Sequence, residues 1–169
     1  ITAIAPKRVL IIYGPRRVGK TTLLQEYLAS QSDSRILSVV GDDFRLRELF
    51  STGDRAKLLD FASPYEIIAI DEAQQVPNIG IGIKMIIDAY PDKKIILTGS
   101  SSFDLQNQIG EPLTGRHFTL TLLPLAQAEF VANEFVSQSQ LEDRLVYGSY
   151  PEVILADSKE KKERIKYPF

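Results

Sequence analysis

Apolar positions along the chain come in two kinds of pattern, unbroken runs and spaced sets, and the two alternate. Val9-Leu10-Ile11-Ile12-Tyr13 is an unbroken run, as are the cores of Glu66–Asp71 and Lys94–Thr98, while Arg35–Val40 is broken only by Ser38. A run without polar interruption fits a strand whose two faces are both covered, as in a parallel sheet with helices on each side. His117–Leu122 instead alternates Phe118, Leu120 and Leu122 against Thr119 and Thr121, which predicts a fifth strand.

The spaced sets fall between these runs. Leu23, Leu24, Tyr27 and Leu28 share a helical face that ends near Ser30. Phe44, Leu46, Leu49 and Phe50, then Leu58, Leu59 and Phe61, predict two short helices parted at Ser51-Thr52-Gly53 and stopped at Ser63-Pro64. Ile79, Ile83, Ile86, Ile87 and Tyr90 have helical spacing. Gly80 and Gly82 oppose a helix by roughly 1 kcal/mol each, and Ile79, Ile81 and Ile83 also read as strand alternation. Helices are further expected over Phe103–Ile109, from Pro124 through Phe130, and around Leu141, Leu145 and Val146. Hairpin signals such as Asn-Gly are absent. Strand, helix and strand in succession predict an α/β three-layer sandwich: a mostly parallel five-stranded sheet with helices on both faces.

Composition narrows the classes without choosing among them. The 169 residues suit one domain of ordinary size, and 44% hydrophobic with 25% charged residues allows a sizeable core. A net charge of -2 argues against a basic footprint over the whole domain. Without cysteine there is no disulfide or thiolate chemistry, and His117 alone cannot build a histidine-rich metal site. No apolar run approaches the ~18 residues of a membrane span, and a cytoplasmic location is expected. The chain starts at Ile1 rather than methionine, so a fragment is expected. Residues 1–156 are read as one domain. Residues 157–169, where Lys159, Lys161, Lys162, Arg164 and Lys166 mix with Glu160 and Glu163, are read as a solvated helix or linker into a further region.

Chemistry enters at Gly14-Pro15-Arg16-Arg17-Val18-Gly19-Lys20-Thr21, a G-x-x-x-x-G-K-T loop between the first strand and the first helix. Triphosphate oxygens need many donors at close range. Backbone N–H groups along residues 15–20 can wrap them, glycine removes the Cβ that would block approach, and the helix N-terminus adds partial positive charge. Lys20 is expected on the β- and γ-phosphates, Thr21 on Mg²⁺, and Thr22 at the start of the helix beside them. Asp71-Glu72 closes the most apolar strand. Asp71 is placed to hold the Mg²⁺ shell and Glu72 to polarise the attacking water as a general base. Thr98 is the first candidate, and Ser100 the second, to touch the γ-phosphate or that water; the ordinary alternative is a helix cap. Arg116 is a candidate to neutralise transition-state charge, in its own chain or from a neighbour, against a plain surface salt bridge. Arg16 and Arg17 can contact phosphate, a partner or solvent, and His117 is given no catalytic role.

In order along nearly the whole chain, the loop with Thr22-Leu23, Ile70-Asp71-Glu72-Ala73-Gln74-Gln75-Val76-Pro77, Ile96–Ser102, Leu113-Thr114-Gly115-Arg116, Leu123-Pro124-Leu125 and Gly148–Val153 resemble the prokaryotic and archaeal AAA-type ATPase family. The resemblance implies a P-loop NTPase fold of the additional-strand, AAA-like kind, with the glycine-loop strand central and the Asp71 strand inserted near it. It implies ATP and Mg²⁺ as ligands of Lys20, Thr21, Asp71 and Glu72. It also implies a winged-helix-like and a nuclease-like region after this domain, through which a protein or DNA partner would act, with self-association as a further expectation. The expected activity is Mg²⁺-dependent ATP hydrolysis coupled to a conformational switch. The alternatives are a regulatory or DNA-associated binding module with negligible turnover, and a small-molecule kinase, which the lack of an arginine-rich lid after the fourth strand disfavours.

Overall fold

A computed structural model describes residues 7–100, 112–126, 129 and 138–166. These fall into two compact units, one of residues 7–14 and 20–121, the other of 15–19 and 122–166.

The first unit is built on β1 (Val9–Gly14), β2 (Ile36–Val40), β3 (Ile67–Asp71), β4 (Lys94–Ser100) and β5 (His117–Thr121). They form a five-stranded sheet in the order β2-β3-β4-β1-β5, and every described pairing is parallel. The glycine-loop strand β1 is therefore interior, but the middle place belongs to β4. The inserted strand is β4 as well: it separates β1 from β3 and bonds to both. The expectation of a central β1 with the Asp71 strand inserted near it is corrected to this extent. β4 can take the middle because residues 95–99 are wholly buried, which both covered faces of a central strand require.

Side chains leave the sheet on both faces. Val9, Ile11 and Tyr13 of β1, Ile68 and Ile70 of β3, and Ile95 and Leu97 of β4 share one core with α2 (Phe44–Thr52), α3 (Arg55–Ala62) and α4 (Ile79–Ala89). The alternate residues Leu10, Ile12, Ile67, Ala69 and Ile96 are also buried. So are Leu24 and Leu28 of α1 (Lys20–Ala29), which packs on β1 and β4. That is the expected three-layer arrangement. β5 forms as predicted, yet Phe118 and Leu120 stay about two-fifths exposed at this edge. The guanidinium of Arg8 lies 5.1 Å from the Phe118 ring centre.

The break expected near Ser51-Thr52-Gly53 falls at Gly53, which takes the left-handed conformation (φ 63) that ends α2. Asp43 and Asp54 then cap α2 and α3 by accepting from backbone N–H groups. The ambiguous stretch from Ile79 is helix, not strand. A Cβ on Gly82 would come within 2.6 Å of the Phe50 ring, so the glycine admits an aromatic side chain against the helix. Pro124 stands at a bend, and a helix starting there is not found in residues 124–126. Glu129, within that predicted helix, is helical; its residues 127, 128 and 130, and all of the helix expected over Phe103–Ile109, lie outside the described residues.

In the second unit, α5 (Gln138–Tyr147) ends at Gly148 (φ 87), whose N–H bonds the Arg144 carbonyl. α6 (Pro151–Ile154) starts on its proline, and α7 (Lys159–Lys166) packs on both. A 2.8 Å ion pair from Lys162 ties α7 to Asp143 and holds that carboxyl below the usual range. The tail expected as helix or linker is thus helical over these residues.

Candidate functional site

All five strands run the same way, so their carboxyl ends lie at one edge of the sheet. β1 ends at Gly14, β3 at Asp71 and β4 at Ser100, and α1 begins at Lys20. A carboxylate buried at the end of an apolar strand needs donors. Asp71 is 8% exposed and both of its oxygens are occupied. Its Oδ2 accepts from the Thr21 hydroxyl at 2.6 Å. Its Oδ1 accepts from the Thr98 hydroxyl and, at 3.1 Å, from the Glu72 N–H. Residues fifty positions apart in the chain are joined here by one hydrogen bond.

Lys20 is 5% exposed, and its ammonium donates to the Gly14 carbonyl at 2.9 Å, where β1 gives way to the loop. The loop itself has two left-handed residues, Arg17 (φ 64) and Gly19 (φ 99). Gly14 and Val18 are buried, Pro15 is half-buried, and Arg16 and Arg17 are exposed. Arg17 faces Glu152 of α6 at 3.9 Å. Both loop arginines line a cavity of about 270 Å³ together with Tyr147, Tyr150 and Glu152. Thr22 is exposed on the first turn of α1.

Thr98 does not serve as expected. It is fully buried, its single proton goes to Asp71, and its oxygen accepts from the Glu72 N–H at 3.2 Å. It supports both carboxylate residues rather than reaching outward as a sensor. Ser100 is half-buried at the end of β4. Arg116 requires a larger correction. Its carbonyl accepts from the Val9 N–H, and the next residue, His117, pairs with Val9. Arg116 therefore stands at the amino end of the sheet, about 17 Å along β1 from Gly14 at ~3.3 Å per residue. Its guanidinium bonds Asp88 at the end of α4. That placement keeps it away from the loop of its own chain. His117 sits beside it, with Nδ1 2.9 Å from the Leu113 carbonyl, and has no place in the site.

Two residues of the site escaped the sequence reading. Gly41 closes β2 and donates its N–H to the Asp71 carbonyl at 2.7 Å. A Cβ there would collide with the Glu72 carbonyl oxygen and lie 2.9 Å from its carbon. A glycine at a strand end signals only a turn; the neighbour that forbids a side chain comes from β3. Gln74 lies in the 3₁₀ turn Ala73–Gln75, and its amide N–H bonds the Glu72 carboxylate. Its place in a run after two acids gave no hint of that.

Thr21 and Asp71 form a hard-oxygen pair of the kind that suits Mg²⁺, which takes one or two protein oxygens and fills its octahedron with water and phosphate. Among the described residues no group of three or more histidine, aspartate or glutamate side chains could cage a metal by itself. The two oxygens of Thr21 and Asp71 are donors of the kind Mg²⁺ takes.

A family model described as an AAA domain matches residues 6–131. An uncharacterized protein of Haemophilus influenzae is 30% identical over 167 residues, covering 88% of this chain and 41% of its own. An uncharacterized protein of Methanocaldococcus jannaschii is 26% identical over 176 residues, covering 95% of this chain and 39% of its own. The chain spans about two-fifths of the length of these relatives (41% and 39%). Among the described residues no helix is long and apolar enough to cross a membrane.

Proposed function

Because the chain belongs to the AAA domain family, we propose that it binds ATP and hydrolyses it with Mg²⁺, coupling nucleotide state to a conformational switch. The observation that carries this reading is the hydrogen bond between Thr21, the residue after the loop lysine, and Asp71 at the end of β3. It ties the start of the phosphate-binding helix to a carboxylate with hard-oxygen chemistry, and Glu72 follows directly.

The roles divide by residue. Loop amides of residues 15–19 and the ammonium of Lys20 hold the β- and γ-phosphates. Thr21 and Asp71 hold Mg²⁺, which when bound neutralises charge on the phosphate oxygens. Glu72 orients a water and takes its proton as that water attacks the γ-phosphorus, and ADP leaves with the β-phosphate oxygen. Thr98 keeps Asp71 and Glu72 in register. Arg116, at the far end of the sheet from its own chain's loop, serves the site of a neighbouring copy. A protein or DNA partner through further regions of the whole protein, and a cytoplasmic location, belong to the same proposal.

The test is a pair of variants. Lys20→Ala is expected to abolish ATP binding measured by calorimetry. Glu72→Gln is expected to keep binding and lose phosphate release. Parental turnover in Glu72→Gln would refute the base assignment. ATP binding without phosphate release in the parent chain would leave a nucleotide-dependent binding module instead.

A further inference from the structure

The Glu72 main chain is held on several sides. Its N–H bonds Asp71 Oδ1 and Thr98 Oγ1, and its carbonyl accepts from the Gln75 N–H at 3.0 Å. Its left-handed conformation (φ 51, ψ 43) is uncommon for a residue with a Cβ and persists only where surroundings enforce it. None of these bonds fixes the side chain, which still has three rotatable bonds before the carboxylate. Gln74 supplies that constraint. The left-handed turn at Glu72 and the 3₁₀ turn after it bring residue 74 back over residue 72, and Gln74 Nε2 donates to Glu72 Oε2.

Two features set this contact apart from incidental packing. The other amide atom, Gln74 Oε1, is buried and has no hydrogen-bond partner among the described residues. A buried acceptor left unmet is unfavourable, so packing alone favours an apolar side chain at this position. Turning the amide over would set its oxygen against the Glu72 carboxylate, so the donor is the half that must face Glu72.

We infer that Gln74 is a positioning residue for hydrolysis: its amide holds one oxygen of Glu72, leaving the other to take the proton of the attacking water. The inference rests on the assignment of Glu72 as base. Gln74 touches neither phosphate nor water in this role and acts through Glu72 alone.

Gln74→Met tests it, because methionine keeps the length and much of the volume while removing the donor. Turnover is expected to fall about tenfold or more, with the KM for ATP and the calorimetric ATP affinity within about twofold of the parent. Gln74→Asn, too short to reach, is expected to lose turnover in the same way. In a Glu72→Gln background, measured in single turnover, Gln74→Met should cause no further loss, because the group it positions is gone. Parental turnover in Gln74→Met overturns the inference, as does an increase, which would make the contact a brake. An equal loss in both backgrounds, or a fall in ATP affinity, also overturns it by showing a merely structural role. If Glu72→Gln turns over at the parental rate, the base assignment has failed and Gln74 has nothing to position.

Discussion

The two ends of the parallel sheet carry similar polar residues and hold them in opposite ways. At the carboxyl end, Asp71 is nearly buried and each oxygen has a donor from a different element: Thr21 from α1, Thr98 from β4. At the amino end, Arg35 meets Glu66 with side chains 69% and 53% exposed, and Arg116 meets Asp88 with side chains 39% and 43% exposed. Exposed pairs of this kind contribute ~0–1 kcal/mol, because water competes for both partners and side-chain freedom is lost. A buried carboxylate with its donors removed costs several times more. Carboxylates are thus members of exposed ion pairs at one end and of an interlocked frame at the other. Strand polarity sorts them, since every strand delivers its last residue to one edge.

Breaking the frame should have the largest effect. Thr98→Val keeps the shape and removes the hydroxyl, leaving Asp71 Oδ1 without one donor and the Glu72 N–H with one acceptor fewer. Loss of a buried hydrogen bond to a charged group predicts about 2–3 kcal/mol. The melting temperature should fall by about 2–4 °C per kcal/mol, and phosphate release should fall at least about tenfold. A variant with parental stability and turnover would show that Asp71 does not depend on Thr98.

Gly41→Ala attacks the same end from β2. The new Cβ meets main-chain atoms of Glu72, which cannot rotate away as a side chain could. A cost of about 1–3 kcal/mol is expected from forced overpacking, with turnover reduced because Glu72 itself must shift. Gly82→Ala is the control away from both ends. It crowds the Phe50 ring, while alanine gains ~1 kcal/mol of helix propensity in α4, so a net loss of about 1 kcal/mol is expected. Turnover below the melting range should be unchanged. If Gly82→Ala impaired turnover as strongly as Gly41→Ala, the contrast between frame and scaffold would collapse.

Much of this was legible in the residues. Unbroken apolar runs announced the buried strands, and the loop with Lys20 and Thr21 and the acids at 71 and 72 pointed to the phosphate site proposed above, because those patterns are local. What could not be read was set by partners distant in the chain. The glycines of α4 looked like helix breakers until Phe50 was seen against Gly82. Gly41 looked like a turn and Thr98 like an outward sensor, since nothing near them in sequence reveals β3 beside them. Arg116 was misplaced for a related reason. Motif order says which residues follow one another, but only the direction of β5 says at which end of the sheet a residue preceding it must stand.

Arg116→Ala is the smallest expected effect and tests the amino end. In its own chain the guanidinium is bonded to Asp88, about 17 Å along the strand from the loop, so it has no route to that chain's γ-phosphate. The exposed ion pair is worth about 1 kcal/mol or less, which predicts a melting shift of a few degrees at most. Turnover measured at protein concentrations where copies do not associate should stay within about twofold of the parent, since a sub-kilocalorie change at that distance leaves the barrier untouched. A neighbouring copy is a separate matter, because an arginine supplied in trans is lost only when copies meet. Phosphate release is therefore to be followed against protein concentration. A deficit confined to high concentration, and restored by mixing Arg116→Ala with Lys20→Ala chains that keep their arginine, assigns Arg116 to the adjoining site. A deficit of equal size at every concentration would contradict the placement of Arg116 at the far end of the sheet, and with it the division between the two ends.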